Sequence, residues 1–160
     1  LPVTSIATKL VIIAGVGGEL LIELMTEIIN NTQTFHTGKQ GTELEFILCP
    51  VHYQYKVRQS LIELNCHLIN ECLVSENKRF YEIIHVSVVI DNKTRSTAKE
   101  SVNKDVERIS PVGSLMWDLS HKMHQQYLTK TIKHYQRMSN NPEMDVAEII
   151  AAYQTLAKQC

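Results

Sequence analysis

The sequence predicts an α/β fold, specifically one half of a doubly wound sheet followed by an α-helical hairpin. Two short apolar runs rich in β-branched residues are each followed by a helical pattern. Two longer strand-like runs come next, separated by a short polar turn, and the last third of the chain repeats apolar residues every three or four positions. The order strand, helix, strand, helix, hairpin is typical of a parallel sheet closed by antiparallel edge strands.

The first strand is predicted over residues 9–14, where the run Lys-Leu-Val-Ile-Ile-Ala shows no alternation of apolar and polar side chains. Such runs are typical of a central parallel strand that is buried on both faces. A glycine turn follows at residues 15–18. Residues 19–29 then repeat Glu every four positions beside apolar residues, which predicts a helix with one acidic stripe that ends at Asn30 and Asn31.

The second strand is predicted over residues 44–49 and stops at Pro50. A second helix follows it. The apolar side of this helix is expected to comprise Val57, Leu61, Ile62 and Leu64. Residues 67–74 and 80–90 flank a polar turn at residues 75–79, which predicts an antiparallel hairpin.

The remainder of the chain is predicted to be a linker and a helical tail. Residues 91–110 are polar and highly charged, whereas residues 111–160 carry two helical patterns separated by the Asn-Asn-Pro sequence that ends at Pro142. Two helices with so short a connection are expected to pack as a hairpin. We therefore predict a half-sheet domain at 1–90, a linker at 91–110 and a helical tail at 111–160.

The composition indicates a globular chain. Of its 160 residues, 44% are hydrophobic and 21% are charged, which argues against disorder. The net charge is -1, so any nucleic-acid-binding surface must be local. Four scattered cysteines favour a reduced, cytoplasmic setting. No apolar run is long enough to span a bilayer, and no signal peptide is expected.

The glycine turn is the segment most informative about chemistry. Gly15, Gly17 and Gly18 follow a strand and precede a helix, so the backbone can approach a ligand without a Cβ in the way. Ligands of open α/β sheets bind beyond the carboxyl ends of the strands. The spacing matches neither a dinucleotide fingerprint nor a phosphate-binding P-loop. On these residues alone, a ligand site and a simple tight turn remain equal alternatives.

The sequence around this turn resembles the TrmK-type tRNA (adenine-N1) methyltransferases of bacteria. Residues 11–21 are similar to that family's "IAGMGG" segment, and residues 46–50 to its "LILQP" strand end. The helix with Val57 and Arg58 is similar to its "IREWL" helix, and residues 80–82 to the end of its hairpin. Val16, Cys49 and Val51 depart from the family pattern, which leaves the exact substrate open.

The resemblance implies a Rossmann-like class I methyltransferase fold, with S-adenosylmethionine as cofactor and N1 of an adenine in tRNA as the methyl acceptor. The first half of such a domain carries an acidic glycine-containing motif and a ribose-binding acid. No Asp-x-Gly-x-Gly-like sequence occurs in these 160 residues. The resemblance therefore implies the C-terminal half of the methyltransferase sheet, and we expect it not to methylate a substrate alone.

Site residues are predicted around the glycine turn and the end of the second strand. The predicted cofactor-binding residues are Ala14, Gly15, Gly17 and Gly18. The predicted catalytic residues are Gly15, Val16, Gly17, Pro50 and His52. His52 is a candidate proton acceptor, and Tyr53 or Tyr55 is a candidate for stacking on a base. An ordinary exposed loop is the alternative interpretation.

A basic helix is predicted to contact RNA. Residues 119–140 contain several Lys and Arg residues and no acidic residue, a pattern that fits a phosphate backbone. The predicted RNA-binding residues are Arg58, Lys122, Lys130, Lys133 and Arg137. A solvated helix face balanced by acids elsewhere is the alternative. His121 and His124 lack a third ligand nearby, so no metal site is predicted.

Two other functions remain open at this stage. The first is a non-catalytic RNA-binding or protein-interaction module that keeps the half-fold. The second is a small-molecule methyltransferase whose helical tail only dimerises. A half-sheet is also expected to expose the edge of its first strand, which favours self-association as a homodimer.

Overall fold

The computed structural model describes residues 8–35, 42–90, 108–141 and 145–159. Four strands and four helices occur within these ranges. In chain order they are β1 (Thr8–Ala14), α1 (Gly18–Phe35), β2 (Thr42–Cys49), α2 (Gln54–Glu63), β3 (His67–Glu76), β4 (Arg79–Ile90), α3 (Lys122–Met138) and α4 (Ala147–Ala157). The predicted order of strand, helix, strand, helix, hairpin and helical tail is confirmed.

The strands form one mixed sheet in the order β1-β2-β4-β3. β1 pairs with β2 in parallel, with Ala14 opposite Cys49. β4 lies antiparallel to both β2 and β3. Because β1 and β2 run the same way, both end at one side of the sheet, which we call the carboxyl edge.

One face of the sheet packs on α1 and α2 around a continuous apolar core. Alternate residues of β2 and β4 face this core, among them Leu44, Phe46, Ile84 and Val86. In α2 the predicted apolar side is correct for Val57 and Leu61, which are fully buried. The prediction is wrong for Ile62, which is 42% exposed because it lies on the solvent side of the helix.

The expectation that β1 is buried on both faces is wrong for the described part of the chain. Only Ile13 is buried, while Leu10 is 55% and Ile12 is 66% exposed. The cause is that the described elements leave uncovered the β1 side chains that face away from the core. β1 also pairs with β2 alone, so it is an edge strand. The separate expectation of an exposed strand edge fits this arrangement.

Helix α1 continues beyond the predicted stop at Asn30 and Asn31 and ends at Phe35. Two threonines in this extension turn their hydroxyls back onto the helix. Thr32 Oγ1 donates to the carbonyl of Ile28 at 2.8 Å, and Thr34 Oγ1 donates to the carbonyl of Asn30 at 2.9 Å. Such bonds satisfy the two hydroxyls within the helix, and Asn30 and Asn31 lie inside it.

The β3–β4 hairpin is tighter than predicted. Both strands extend into the expected polar turn of residues 75–79, and Glu76 is in register with Arg79. Only Asn77 and Lys78 remain in the turn, with φ values of 49° and 63°. Positive φ at both central residues is the geometry that suits the twist of a two-residue hairpin.

The helical tail begins later than predicted. Residues 108–121 are irregular, and the first tail helix starts at Lys122, where the His121 side chain accepts the backbone N–H of Met123 at 3.2 Å. α3 and α4 pack together through Leu128, Tyr135 and Tyr153, and Tyr55 of α2 joins this cluster. The tail therefore packs on the sheet domain.

Residues 91–107 of the predicted linker lie outside the described residues. Of the remainder, Ile109 is buried in the sheet core, so the polar segment does not extend as far as residue 110. The domain boundaries otherwise stay a prediction. No helix among the described residues has the length and apolar character needed to cross a membrane.

Candidate functional site

The glycine turn and the loop after β2 lie side by side at the carboxyl edge. Gly15 N–H donates to the carbonyl of Cys49 at 3.3 Å, and Val51 N–H donates to the carbonyl of Val16 at 3.0 Å. These two hydrogen bonds extend the parallel pairing of β1 and β2 past the ends of both strands. They bring together two segments that lie more than thirty positions apart in the sequence.

A side chain is disfavoured at each glycine of the turn for a different steric reason. Gly15 has a φ of 74°, in the region that glycine adopts most easily. A Cβ on Gly17 would lie 2.6 Å from Cε1 of His52. A Cβ on Gly18 would lie 2.8 Å from both the His52 carbonyl oxygen and Cγ2 of Val57. The turn therefore allows close approach of the loop that carries His52.

His52 and Tyr53 form an aromatic pair over this turn. The His52 ring lies against Gly17, and its centroid is 4.5 Å from that of Tyr53 in an edge-to-face arrangement. Both side chains are exposed, and Tyr53 is held in the left-handed region with φ 61° at the start of α2. The pair offers a proton acceptor and a stacking surface at one place.

The remaining predicted residues of the turn also gather here. Pro50 is buried, and its carbonyl accepts Gln54 Nε2 at 3.3 Å. Ala14 and Gly15 are exposed, and no atom lies within 4 Å of a Cβ built on Gly15. The structure thus brings every predicted catalytic and cofactor-binding residue to one open edge, although their roles stay predictions.

Tyr55 is not available for stacking on a base. Its side chain is only 3% exposed and packs 6.3 Å from the ring of Tyr153. Its hydroxyl lies 3.5 Å from Oε1 of Glu148. Burial and then the Glu148 carboxylate raise the pKa of Tyr55. Its apolar ring serves the contact between α2 and the tail, which leaves Tyr53 as the stacking candidate.

Arg58 is not a surface residue, so the predicted RNA contact does not apply to it. Its side chain is fully buried and pairs with two buried glutamates. Nε and Nη2 donate to Oε2 of Glu82 at 3.1 and 2.9 Å, and Nη1 donates to Glu71. Desolvation opposes the charge, but Glu82 and Glu71 outweigh it and raise the pKa of Arg58.

The same glutamates hold the start of the tail. Oε1 of Glu71 accepts the backbone N–H groups of Ser114, Leu115 at 2.6 Å and Met116 at 3.2 Å. Burial alone would raise the pKa of Glu71, but Arg58 and the N–H groups of Ser114 and Met116 lower it. Sequence reasoning missed this network, although a glutamate at a core-facing position of each strand was the available signal.

Glu82 completes the connection to α3. The hydroxyl of Tyr127 donates to Oε1 of Glu82 at 2.7 Å, while Oε2 of the same carboxylate accepts Arg58. Desolvation and then Glu82 raise the pKa of Tyr127 well above its ordinary value. The buried charges therefore link α2, β3, β4, the irregular segment and α3.

The other predicted RNA-binding residues share one exposed side of α3. The opposite side of α3 carries its buried residues, Leu128 and Tyr135. We call this side the α3 basic face; it comprises Lys122, Gln125, Gln126, Thr129, Lys130, Lys133, Gln136 and Arg137, which line one surface concavity. No acidic residue occurs in α3. The clustering of the four cations is as predicted, and their role in RNA binding stays a prediction.

Comparison with known proteins identifies the family. The family model described as "Methyltransferase domain" matches residues 2–84, slightly more than half of the chain. The chain belongs to the methyltransferase-domain family. The match ends within β4, so it spans both loops that meet at the carboxyl edge. A search of curated proteins finds no match.

Solved structures share the fold of this methyltransferase-domain chain. Sp1610 of Streptococcus pneumoniae, assigned as a tRNA (m1A22) methyltransferase and solved with S-adenosyl-L-methionine, has a TM-score of 0.58 at 18% identity. The alignment covers 91% of this chain and 58% of Sp1610. An uncharacterized Listeria monocytogenes protein has a TM-score of 0.53 at 16% identity, with 93% of this chain and 63% of that chain covered.

A Streptococcus agalactiae protein of the NADB-Rossmann superfamily has a TM-score of 0.52 at 17% identity, with 91% of this chain and 55% of that chain covered. These similarities confirm the Rossmann-like methyltransferase fold, and they confirm the resemblance to TrmK-type enzymes at the level of the fold. The methyltransferase-domain chain spans 58% of the length of Sp1610. Its fold is therefore the fold of part of that protein.

Two cysteines of this chain, Cys66 and Cys72, should differ in their reactivity toward thiol reagents. Burial raises the pKa of the Cys66 thiol to about 12, whereas Cys72 is exposed. At pH 8 only about one Cys66 thiol in 10,000 is then ionised, and the thiolate is the reactive form. In a Cys160→Ser background, we expect Ellman's reagent to label Cys72 at least about tenfold faster than Cys66. Equal rates, measured by peptide mass spectrometry, would contradict this burial.

Proposed function

We propose that this chain forms part of an S-adenosylmethionine-dependent RNA methyltransferase that modifies N1 of an adenine in tRNA. The observation that carries the proposal is the glycine turn packed against His52 at the carboxyl edge of parallel strands. That edge is where open α/β sheets bind their ligands. Membership of the methyltransferase-domain family and the fold shared with Sp1610 support the same function.

The residues at this edge suit one side of a methyl-donor pocket. The open space beside Gly15 and the exposed Ala14 leave backbone accessible to a cofactor. When bound, S-adenosylmethionine supplies an electrophilic methyl group. Tyr53 stacks on the adenine and holds its N1 in line with the methyl group. This orientation lowers the entropic part of the barrier to methyl transfer. His52 accepts a proton from the exocyclic amine of the methylated, cationic base.

The other side of the pocket belongs to polypeptide beyond these 160 residues. Two observations support this proposal. β1 has an unpaired outer edge among the described residues, and the chain covers 58% of Sp1610. A further parallel strand would pair with the free edge of β1, and a helix packed on the outer face of the sheet would cover Leu10 and Ile12. A second copy of this chain is the alternative occupant of the edge, as the predicted homodimer.

The proposal predicts different behaviour for this chain and for a longer gene product that adds an upstream half-domain. Titration calorimetry of S-adenosylmethionine into the 160-residue chain should show no binding, because one side of the pocket is lacking. The longer product should transfer labelled methyl groups to a tRNA transcript, and nucleoside mass spectrometry should identify 1-methyladenosine.

Each result has a contrary outcome. Micromolar binding of S-adenosylmethionine by the 160-residue chain would contradict the incomplete pocket. A longer product that binds tRNA but transfers no methyl group would favour the non-catalytic RNA-binding module. Transfer to a small molecule with no tRNA binding would favour the small-molecule methyltransferase.

A further inference from the structure

We infer that the end of the β3–β4 hairpin continues the α3 basic face as one surface for a double-helical part of the RNA, placed at the same edge of the sheet as the glycine turn. The hairpin end is defined as residues 76–80. This inference rests on the proposed function, because it names the part of the RNA substrate that the chain holds. Neither the family match nor the fold similarity assigns a role to this hairpin.

The strand register places the hairpin end at the carboxyl edge. The last residue pair between β2 and β4 toward that edge is Leu48 with Ile84. β4 starts at Arg79, five residues earlier, so it projects about 17 Å past this pair at the usual rise of a strand. The turn at Asn77 and Lys78 therefore overhangs the side of the sheet where β1 ends and Gly15 follows.

A ring and a lysine join the hairpin end to α3. The Phe80 ring lies 5.3 Å from the ring of Tyr127, and Nζ of Lys130 lies 5.5 Å from the Phe80 centroid. The ring face attracts the ammonium group. Lys130, which also lines the concavity of the α3 basic face, is thereby held beside the hairpin, so the two surfaces are contiguous.

The hairpin end adds positive charge to this surface. Lys78 and Arg79 are exposed, and neither forms an ion pair with another described residue. The hairpin end contains the cations Lys78 and Arg79 and one acid, Glu76. The hairpin end therefore has a positive net charge. Cations that are not neutralised by protein carboxylates are available to replace the counterions of RNA phosphates.

The chemistry of the α3 basic face favours double-helical over single-stranded RNA. From Lys122 to Arg137 the face extends about 22 Å at the rise of an α-helix. It contains cations, amides and one hydroxyl, which suit phosphates and 2′-hydroxyls, and it contains no aromatic residue. Proteins that hold single strands stack the bases on exposed aromatic rings, whereas duplex RNA is recognised through its backbone.

The test is binding of the 160-residue chain to a fluorescein-labelled RNA stem-loop, over a series of salt concentrations. The double variant Lys78→Glu, Arg79→Glu should weaken binding at least about tenfold. The negative slope of the log binding constant against log salt concentration should become shallower by about 2, because two phosphate contacts are lost. Lys130→Glu with Lys133→Glu should have an effect of the same size. Lys9→Glu with Lys158→Glu is the control of equal charge change, and should stay within about twofold of wild type.

The outcomes separate this inference from the proposed function. If the α3 variant weakens binding and the hairpin variant matches the control, the hairpin has no part in the surface. If an unstructured oligouridine of equal length binds as tightly as the stem-loop, the partner is not double-helical RNA. In both cases methyl transfer by the longer gene product can still be observed. If both variants weaken stem-loop binding as expected but the longer gene product transfers no methyl group, the proposed function fails while the RNA surface stands.

Discussion

Arg58→Met is expected to lower the free energy of unfolding by about 3–5 kcal/mol, the usual effect of removing one partner from a buried ion pair. The substitution leaves the carboxylates of Glu71 and Glu82 buried without their guanidinium, and both side chains are fully inaccessible. The loss also loosens the contact between sheet and tail, because Glu71 accepts the N–H groups of Ser114, Leu115 and Met116. Urea unfolding followed by circular dichroism measures the change.

Lys56→Met is the matched control on the same helix. Lys56 pairs with Glu19 at 3.0 Å, but the two side chains are 64% and 69% exposed. An exposed pair contributes about 0–1 kcal/mol, so this variant should stay close to wild type. Adding Glu71→Gln and Glu82→Gln to Arg58→Met should restore part of the stability, since neutral amides cost less to bury. A loss of less than about 1 kcal/mol for Arg58→Met would show that the network is not a buried one.

Under the proposed function, Gly17→Ala is expected to reduce methyl transfer by a longer product that includes the upstream half-domain about 100-fold, the size of effect that follows when a catalytic group is displaced by about 1 Å. The added methyl group would meet the His52 ring at 2.6 Å, so the ring must move. Stability should change by less than about 1 kcal/mol, since the contact is with a side chain that can rotate. Initial rates and thermal unfolding together measure the two effects.

A double-mutant cycle shows whether His52 transmits this effect. In a His52→Ala background the space beside Gly17 is empty, so Gly17→Ala should cause little further loss of activity. Independent, additive losses would show that the glycine serves the cofactor directly and not through the histidine. Gly18→Ala gives a contrast, because its Cβ would meet the His52 carbonyl oxygen at 2.8 Å, and backbone cannot rotate away.

The buried network also has a consequence for the position of the basic face. Glu82 binds Arg58 through one oxygen and Tyr127 of α3 through the other. α3 is thus fixed to the sheet by charge-assisted hydrogen bonds and not by apolar packing alone. An RNA bound along α3 would therefore have a defined position relative to the glycine turn.

Much of the fold was predictable from local patterns. The β-branched run at residues 9–14 and the glycines after it predicted β1 and its turn, because both depend on residues adjacent in sequence. The hairpin was predicted for the same reason. Its exact turn at Asn77 and Lys78 was not, since that depends on how far the strands pair.

The sequence by itself determined the order of strands and helices, the glycine turn, the basic side of α3 and the resemblance to a methyltransferase. Only the tertiary structure decided that Arg58 and Tyr55 are buried, that one face of β1 is exposed, and that the tail begins with an irregular segment. The physical reason is that burial of a charge depends on partners distant in the chain. Glu82 is 24 positions from Arg58, and Met116, which donates to Glu71, is 45 positions from its acceptor. Periodicity reports which face of one element is apolar, but it carries no information on which distant carboxylate will neutralise a buried guanidinium.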